Sequence, residues 1–566
     1  MMLFFLVSMA LLFVYTTFFM PEPPPAAEAT EETVADGKTA DTARPAEGET
    51  ATPPTGAEPE AREVPERTLT LTRPEVVYAV HSHGGGLSSA LLQGEKMREQ
   101  RRMNFRQGLQ ALMGNPPEPA PQMNLAQPPA GGPLPLAVSI EGDAPLSAST
   151  PYLLEEIEGG QGVDMEAVGN GWKVEKRLRF EREGFEFAYE LVITNTTGAP
   201  RRGELAFHWT RAIDPEFEEA PSLMGSVGNQ SRVSCFVNDD QEALLPGDEK
   251  APIRHNGAIR SFGIDQQYFT SQLFFLQGAR EGTCELEATS TERRIKAGFP
   301  LEVGAGESVT FRLGGFAGPK DGDLLAVAPS ASTAALVGLD AGQAPPAGLD
   351  GLIDFGILVV LCKLLLGILK GAFAIFGNWG IAIVAMTFLI KMLLLPLTYK
   401  QMVSAEQMKK LQPQMEQIRK KFADDKEKQQ LEMMKMYQEA KVNPLAGCLP
   451  MLLQMPVWFA LFTTLRNSFE IYGEPFFGPV WRDLTLKDPL YVLPVLLGVT
   501  MMITQRLAPQ AMDAAQARIM NWVMPVIFTV FLLNYPAGLT LYVFTNNVMS
   551  IAQQYAIRKW LAYKAA

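Results

Sequence analysis

From about residue 67 to residue 345, apolar and polar positions alternate with a period of two. In "GFEFAYELVITN", Phe185, Phe187, Tyr189, Leu191 and Ile193 fall on one face, and in "GELAFHWTRA" Leu205, Phe207 and Trp209 do the same. That is the spacing of strands with one buried face. Turn residues separate the runs, which predicts a large antiparallel β-sandwich. Beyond residue 350 the pattern changes to long apolar runs near 378–398, 445–466, 490–506, 519–535 and 537–556. Each approaches the roughly 20 residues that cross about 30 Å of hydrocarbon. With Met1–Met20 they make six candidate spans, the last two separated only by a tight turn around Pro536 and Gly538. The fold class expected is an α-helical polytopic membrane protein with a five-helix core, carrying a β-sandwich domain between spans one and two.

Three further segments have their own patterns. Residues 350–376 are apolar except for Lys363 and Lys370, seven residues apart and therefore on one helical face. An interfacial amphipathic helix is expected there, its lysines toward headgroups. Residues 399–443 predict a cytoplasmic helical hairpin, with Met402, Ala405, Met408, Leu411, Met415, Ile418 and Phe422 recurring every three or four residues and Leu431, Met434 and Tyr437 continuing the stripe. Pro413 is expected to kink or restart the first arm. The methionines of this hairpin, Met408, Met415, Met433 and Met434 among them, offer a flexible, polarizable contact surface; two helices packed on each other explain the same stripe. Residues 21–66, opening "PEPPPAAEATEETVADG", hold too few large apolar residues to fold and read as a flexible tether.

Charge adds orientation. Residues 351–566 carry 21 Lys and Arg against 13 Asp and Glu, a balance of about +8, which leaves about −21 for the first 350 residues of a chain whose net charge is −13. The hairpin segment and the tail with Arg558, Lys559 and Lys564 are basic and belong in the cytoplasm. Six spans then place both termini inside and the acidic sandwich outside the membrane, in the periplasm of a bacterium with two membranes. Counting 350–376 as a seventh span would reverse this. Met1–Met20 lacks a basic leading segment and exceeds the usual signal-peptide core, favouring a retained anchor over a cleaved signal.

The candidate chemistry is sparse. Lys391 sits in "TFLIKMLLLPLTYKQM", eight residues, or about 12 Å, before Tyr399. A lysine within a span costs about 2.5–3.5 kcal/mol unless a partner or water relieves it; snorkelling covers part of that distance. Thr387 lies one turn away, and Gln454, Thr504, Gln505, Asn521, Thr545, Asn546 and Asn547 stand in the other runs. Together they suggest a hydrated groove; singly, each polar residue reads as interhelical glue. The histidines, His81, His83, His208 and His255, form no metal or triad spacing, and His208 alternates outward from a strand face. No nucleotide-binding loop GxxxxGK[ST] is present, and neither catalysis nor a cofactor is expected. Cys235 and Cys284 either pair in an oxidising compartment or stay free. The run "EKMREQRRMNFRQGLQALM" reads as a solvated helix within a loop, with a helix touching lipid headgroups as the alternative.

The stretches "GNWGIAIVAMTFLIKMLLLPLTYKQM", "NPLAGCLPMLLQMPVWFALF", "DPLYVLPVLLGVTM" and "MNWVMPVIFTVFLLNYPAGLTLYVFTNNVMSIAQQ" closely resemble the YidC/Oxa/Alb family of membrane-protein insertases. In the exported half, "SHGGGLSSALL" and "DQQYFTSQLFFL" are similar to the family's periplasmic β-supersandwich. The resemblance implies insertion of other proteins' transmembrane segments, alone or with the Sec translocon, in the bacterial inner membrane. It implies nascent membrane proteins and lipids as partners, with the ribosome and signal recognition particle machinery as further ones, and no direct contact with nucleic acid. The family carries an intramembrane arginine five residues before a proline; the spacing to Pro396 puts Lys391 there, keeping the charge and losing the planar fork. Gln454, Met455 and Pro456, with Asn521 and Tyr542, are implied to line the substrate path. Two rival readings are a secondary transporter, which would show internal repeats, and a membrane-anchored periplasmic carbohydrate-active protein.

Overall fold

A computed structural model describes residues 64–214, 230–245, 252–422, 425–440, 449–507 and 518–565. The expected anchor at 1–20 and nearly all of the tether at 21–66 lie outside the described residues, as do the side chains of Met408 and Gln454.

The exported half is built of strands β1 (Thr68–Thr72), β2 (Val76–His81), β3 (Gly86–Leu92), β4 (Val138–Gly142), β5 (Leu153–Glu156), β6 (Gly162–Gly169), β7 (Trp172–Phe180), β8 (Glu186–Asn195), β9 (Arg201–Ala212), β10 (Arg232–Val237), β11 (Asp240–Leu244), β12 (Ile253–Asp265), β13 (Phe269–Phe275), β14 (Arg280–Ala288), β15 (Glu292–Val303) and β16 (Ser308–Pro319). The first three form an antiparallel sheet, and the rest form a second, long sheet in the order β4-β9-β15-β14-β12-β13-β16-β8-β7-β6-β5, with β10 on β12 and β11 on β10. Period-two alternation makes these strands two-faced. In β7, Trp172, Val174, Lys176, Leu178 and Phe180 point inward, and the intervening Lys173, Glu175, Arg177 and Arg179 point outward. The outward charges pair across strands, as Arg177 does with Glu190 at 2.9 Å. Phe187, Tyr189, Leu191 and Ile193 of β8 and Leu205, Phe207 and Trp209 of β9 are fully buried in one core shared by both sheets. Each such side chain contributes about 1.5–3 kcal/mol.

In this half one open alternative is decided and one expectation is corrected. Cys235 and Cys284 are joined in a disulfide, because β12 pairs with both β10 and β14 and brings the two cysteines together. His208 is half-buried rather than turned out to water, its Nε2 lying 2.9 Å from Ser139 Oγ.

The helices are α1 (Phe105–Leu112), α2 (Gly322–Ala326), α3 (Ala331–Ala335), α4 (Val359–Phe376), α5 (Trp379–Leu393), α6 (Leu395–Lys421), α7 (Lys426–Glu439), α8 (Leu449–Asn467), α9 (Val492–Leu507), α10 (Met524–Leu532, entered by a π-turn at Ile519–Val523) and α11 (Ala537–Ala565). A second apolar core joins α4, α5, α8, α9, α10 and the start of α11. Among the described residues one helical stretch, Gly356–Phe376, is long and apolar enough to cross a membrane; Trp379–Leu393, Val492–Leu507 and Ile519–Leu532 are apolar but shorter. The expected span at 378–398 ends early for a local reason. Pro396 has no N–H for the Met392 carbonyl and disfavours helical geometry at the residue before it, so α5 stops at Leu393 and α6 restarts the chain.

Three details of the other segments also differ from expectation. Lys370 of α4 pairs with Asp323 at 3.0 Å and Glu470 at 2.9 Å, so its ammonium is held by carboxylates of the fold, whereas Lys363, 4.0 Å from Asp350, is largely exposed. α6 runs unbroken through Pro413, which lies on an exposed face where water can satisfy the freed carbonyl. Within the hairpin, Met415 is buried and accepts a hydrogen bond from Tyr437 at 3.6 Å, whereas Leu431 and Met434 are exposed. Met415 therefore serves the hairpin's own packing.

The sandwich is joined to the helical core through the segment after α8. Tyr268 and Tyr472 rings meet at 4.8 Å, Phe269 and Phe469 at 5.6 Å, and Tyr268 donates to the Arg466 carbonyl at 2.9 Å.

Candidate functional site

α5 begins where Asn378 accepts the Ile381 N–H at 3.0 Å, a side-chain cap that starts the helix after the left-handed Gly377. Gly380 allows the first turn to approach Phe476, whose ring a Cβ at this position would overlap. Trp379 stacks on Phe373 of α4 at 4.2 Å. These contacts fix the helix whose last turn carries Lys391. A cation in a final turn meets the negative end of the helix dipole.

Lys391 is 6% exposed. Its ammonium donates to Ser550 Oγ at 2.8 Å, and Ser550 in turn donates to the Asn546 carbonyl at 2.7 Å. Gln553 Nε2 donates to the Lys391 carbonyl at 3.2 Å. Asn546, Ser550 and Gln553 stand at i, i+4 and i+7 of α11 and so present one polar edge to α5. Among the described residues, no carboxylate lies within ion-pair distance of the Lys391 ammonium. Thr387, also buried, donates back to the Ile383 carbonyl at 2.6 Å, which leaves its oxygen as an acceptor. The buried Oε1 of Gln553 has no hydrogen-bond partner. The arrangement is a cation set among oxygen acceptors. Among the described residues, no group of three or more His, Cys, Asp or Glu side chains could hold a metal ion.

The other expected site residues are distributed around this point. Tyr542 is buried one turn before Asn546 on α11. Met455 is half-buried and Pro456 exposed on α8, and Asn521 is half-buried in the π-turn before α10. Met433 is half-buried on α7. The structure links Lys391 and Asn546 through Ser550, and it places Met455, Pro456 and Asn521 on other helices.

The family model described as 60Kd inner membrane protein matches residues 371–564, and the one described as YidC periplasmic domain matches residues 144–368. A membrane protein insertase YidC of Anaeromyxobacter sp. (strain Fw109-5) is 33% identical over 498 residues, covering 87% of this chain and 85% of that one. The chain belongs to the YidC family of membrane protein insertases. The YidC of Nitratidesulfovibrio vulgaris (strain DP4) is 31% identical over 572 residues, or 97% of this chain and 96% of its own. A crystal structure of an active YidC insertase covers 88% of this chain and 95% of its own at 18% identity, with a TM-score of 0.36. A galactose mutarotase-like protein from Lactobacillus casei ATCC 334 covers 44% of this chain at 8% identity, with a TM-score of 0.29.

Two residues of this YidC-family site, Ser550 and Gln553, are missing from the sequence reading. Their signal was available in the four- and three-residue steps from Asn546, which put them on its face of the same helix.

Proposed function

We propose that this chain inserts the transmembrane segments of nascent membrane proteins by solvating their hydrophilic ends in a recess between α5 and α11, open to the cytoplasm and to lipid. One observation carries the reading: a buried ammonium, that of Lys391, with one protein acceptor. An ammonium has three N–H donors, and each donor left dry costs on the order of 1–3 kcal/mol. Water fills the remaining two positions at rest, and substrate carbonyl or carboxylate oxygens fill them during passage. A polar chain end entering there loses less hydration than in hydrocarbon. Burial of the substrate's apolar segment in lipid, at about 25 cal/mol per Å², drives completion.

The spans are residues 1–20 and those built on α5, α8, α9, α10 and α11. Both termini are cytoplasmic, the sandwich is periplasmic, α4 lies along the interface, and the host membrane is the inner membrane. Gln454, Met455, Pro456, Asn521 and Tyr542 line the path, and Met408, Met433 and Met434 offer apolar contacts from the hairpin. The Sec translocon assists with some substrates, and ribosome and signal recognition particle machinery deliver them. Photocrosslinkers at positions 391, 455 and 542 of the full chain test this against a stalled nascent membrane protein. Adducts to the nascent chain are expected, and capture of lipid alone at all three positions overturns the path.

A further inference from the structure

Between β3 and β4 an arm leaves the sandwich and carries α1. Its start is set by a reciprocal cap: Asn104 accepts the Gln107 N–H at 2.9 Å, and Gln107 Oε1 accepts the Asn104 N–H at 3.0 Å. The helix has two different apolar faces. The first is small and buried: Gly108 and Ala111, with Gly108 seated so closely on Pro489 and Leu490 that an added Cβ would stand 3.0 Å and 3.1 Å from them. Pro489 and Leu490 lead into α9. The second face adjoins the first on the helical wheel and is bare: Phe105, Leu109, Leu112 and Met113 are 55%, 43%, 57% and 66% exposed. Arg106, Gln107 and Gln110 occupy the remaining arc.

Two observations name what covers the bare face. First, Gly108 docks α1 on Pro489 and Leu490, at the entry to α9, whose own Val492, Val495, Leu496 and Val499 are exposed. Second, the root of the arm is basic within an acidic half of the chain. Arg98, Arg101, Arg482 and Lys487 outnumber Glu99, Glu118 and Asp483 around a cavity of about 170 Å³ between the arm and the loop before α9. Apolar insertion flanked by cations is the chemistry of a helix lying in a bilayer surface that contains anionic phospholipid.

We propose that α1 is such a helix, seated in the outer leaflet beside the mouth of α9 with Phe105, Leu109, Leu112 and Met113 in the acyl boundary, tethering the sandwich to the membrane. The proposal rests on the reading of α9 as a span. The test places a nitroxide on the full chain at Leu109→Cys, Leu112→Cys, Gln110→Cys or Val495→Cys, in nanodiscs of phosphatidylethanolamine and phosphatidylglycerol. Cys235 and Cys284 are bridged and Cys362 is buried, and a Cys448→Ser background removes the fourth cysteine, so the new thiol takes the label. Collision with oxygen is expected to exceed collision with a water-soluble nickel chelate several-fold at 109, 112 and 495, and to fall below it at 110. Equal chelate access at 109, 110 and 112, with 495 still in lipid, overturns the proposal and leaves a solvated helix. Chelate access at 495 as well overturns the span reading and the proposal with it. Labels at 109 and 112 shielded from both reagents, with dipolar broadening between copies, overturn the lipid partner in favour of a second copy of the chain. The oxygen preference at 109 is expected to fall in discs of phosphatidylcholine alone; an equal preference overturns the anionic component.

Discussion

Both halves of the molecule bury a lysine, and they treat it in opposite ways. In the sandwich, Lys176 is fully buried, and its ammonium donates to the carbonyls of Gly84, Gly85 and Leu136 at 2.8, 2.8 and 3.1 Å, beneath the face of Tyr152 at 4.3 Å. Three donors meet three acceptors, although burial alone pushes the group well below the usual lysine range. Lys320 is likewise matched, to Asp265 at 3.1 Å and the Gln266 carbonyl at 3.1 Å. In the helical core, Lys391 has Ser550 and no second protein acceptor among the described residues. A saturated buried cation is a fastening that has no vacancy for a visitor. An unsaturated one is a standing demand for oxygen, and only the second kind can serve a passing chain.

The sharpest way to break this contrast is to remove the saturated cation. Lys176→Met strands three carbonyls in the sandwich core, so a loss of about 3–5 kcal/mol in stability is expected. Chemical denaturation of the full chain, followed by tryptophan fluorescence, checks it. A change below about 1 kcal/mol would mean that Lys176 is as expendable as a surface group.

The corresponding change in the core is expected to act on function instead. Lys391→Met removes the demand for water, so insertion of a reporter with a polar leading end should slow by about tenfold, a barrier increase of ~1.4 kcal/mol. The folded state should hold or gain stability, since a desolvated charge is gone. Lys391→Arg keeps the charge and should stay within about twofold of the parent, well under ~1 kcal/mol. Reconstituted insertion assays measure both; equal activity of the methionine variant would remove the cation from the mechanism.

His208 shows a third treatment of a cationic group, which is to keep it neutral. Burial, then Lys296 and Lys176, hold its pKa down to about 4. The unfolded histidine takes a proton near pH 6.5 that the folded one refuses. Stability from this site is therefore whole above about pH 6.5 and declines as the pH falls toward 4, by about 1–2 kcal/mol after allowing for its partial exposure. Denaturation midpoints between pH 7 and pH 4 should show a shallower slope for His208→Gln. A His208→Gln chain with the parent's slope would assign the acid sensitivity elsewhere.

What could be read from the sequence follows the range of each physical cause. The alternation that buries Phe187, Tyr189, Leu191 and Ile193 is a property of successive residues and was legible directly. So was the placement of Lys391 on an apolar helix. The pairing of Cys235 with Cys284 was open, because it depends on β12 lying between their strands, a register that no local signal states. Lys370 looked like a headgroup contact because Asp323 and Glu470 are 47 and 100 positions away in the chain and meet it only in the fold. Ser550 is one serine in a polar helical end, and it acquires meaning only when α5 stops at Leu393 opposite it. The early stop was available in principle from Pro396, whose missing N–H is a local fact.

The smallest expected effect is also the one that decides whether the core cation is wet. Ser550→Ala deletes the hydroxyl that Lys391 now uses. In a hydrated recess, water takes the vacated position and the cost is a single exchanged hydrogen bond, at most about 1 kcal/mol in stability. Insertion should then change by less than about fivefold, again ~1 kcal/mol. In a dry recess the same deletion strands a buried charge, and a loss of about 3–5 kcal/mol follows, comparable to that expected for Lys176→Met. Thermal unfolding of the full chain in nanodiscs separates the two outcomes. A large loss would make the two lysines alike, each a fastening with its partners fixed, and the insertion route through position 391 would fall with that result.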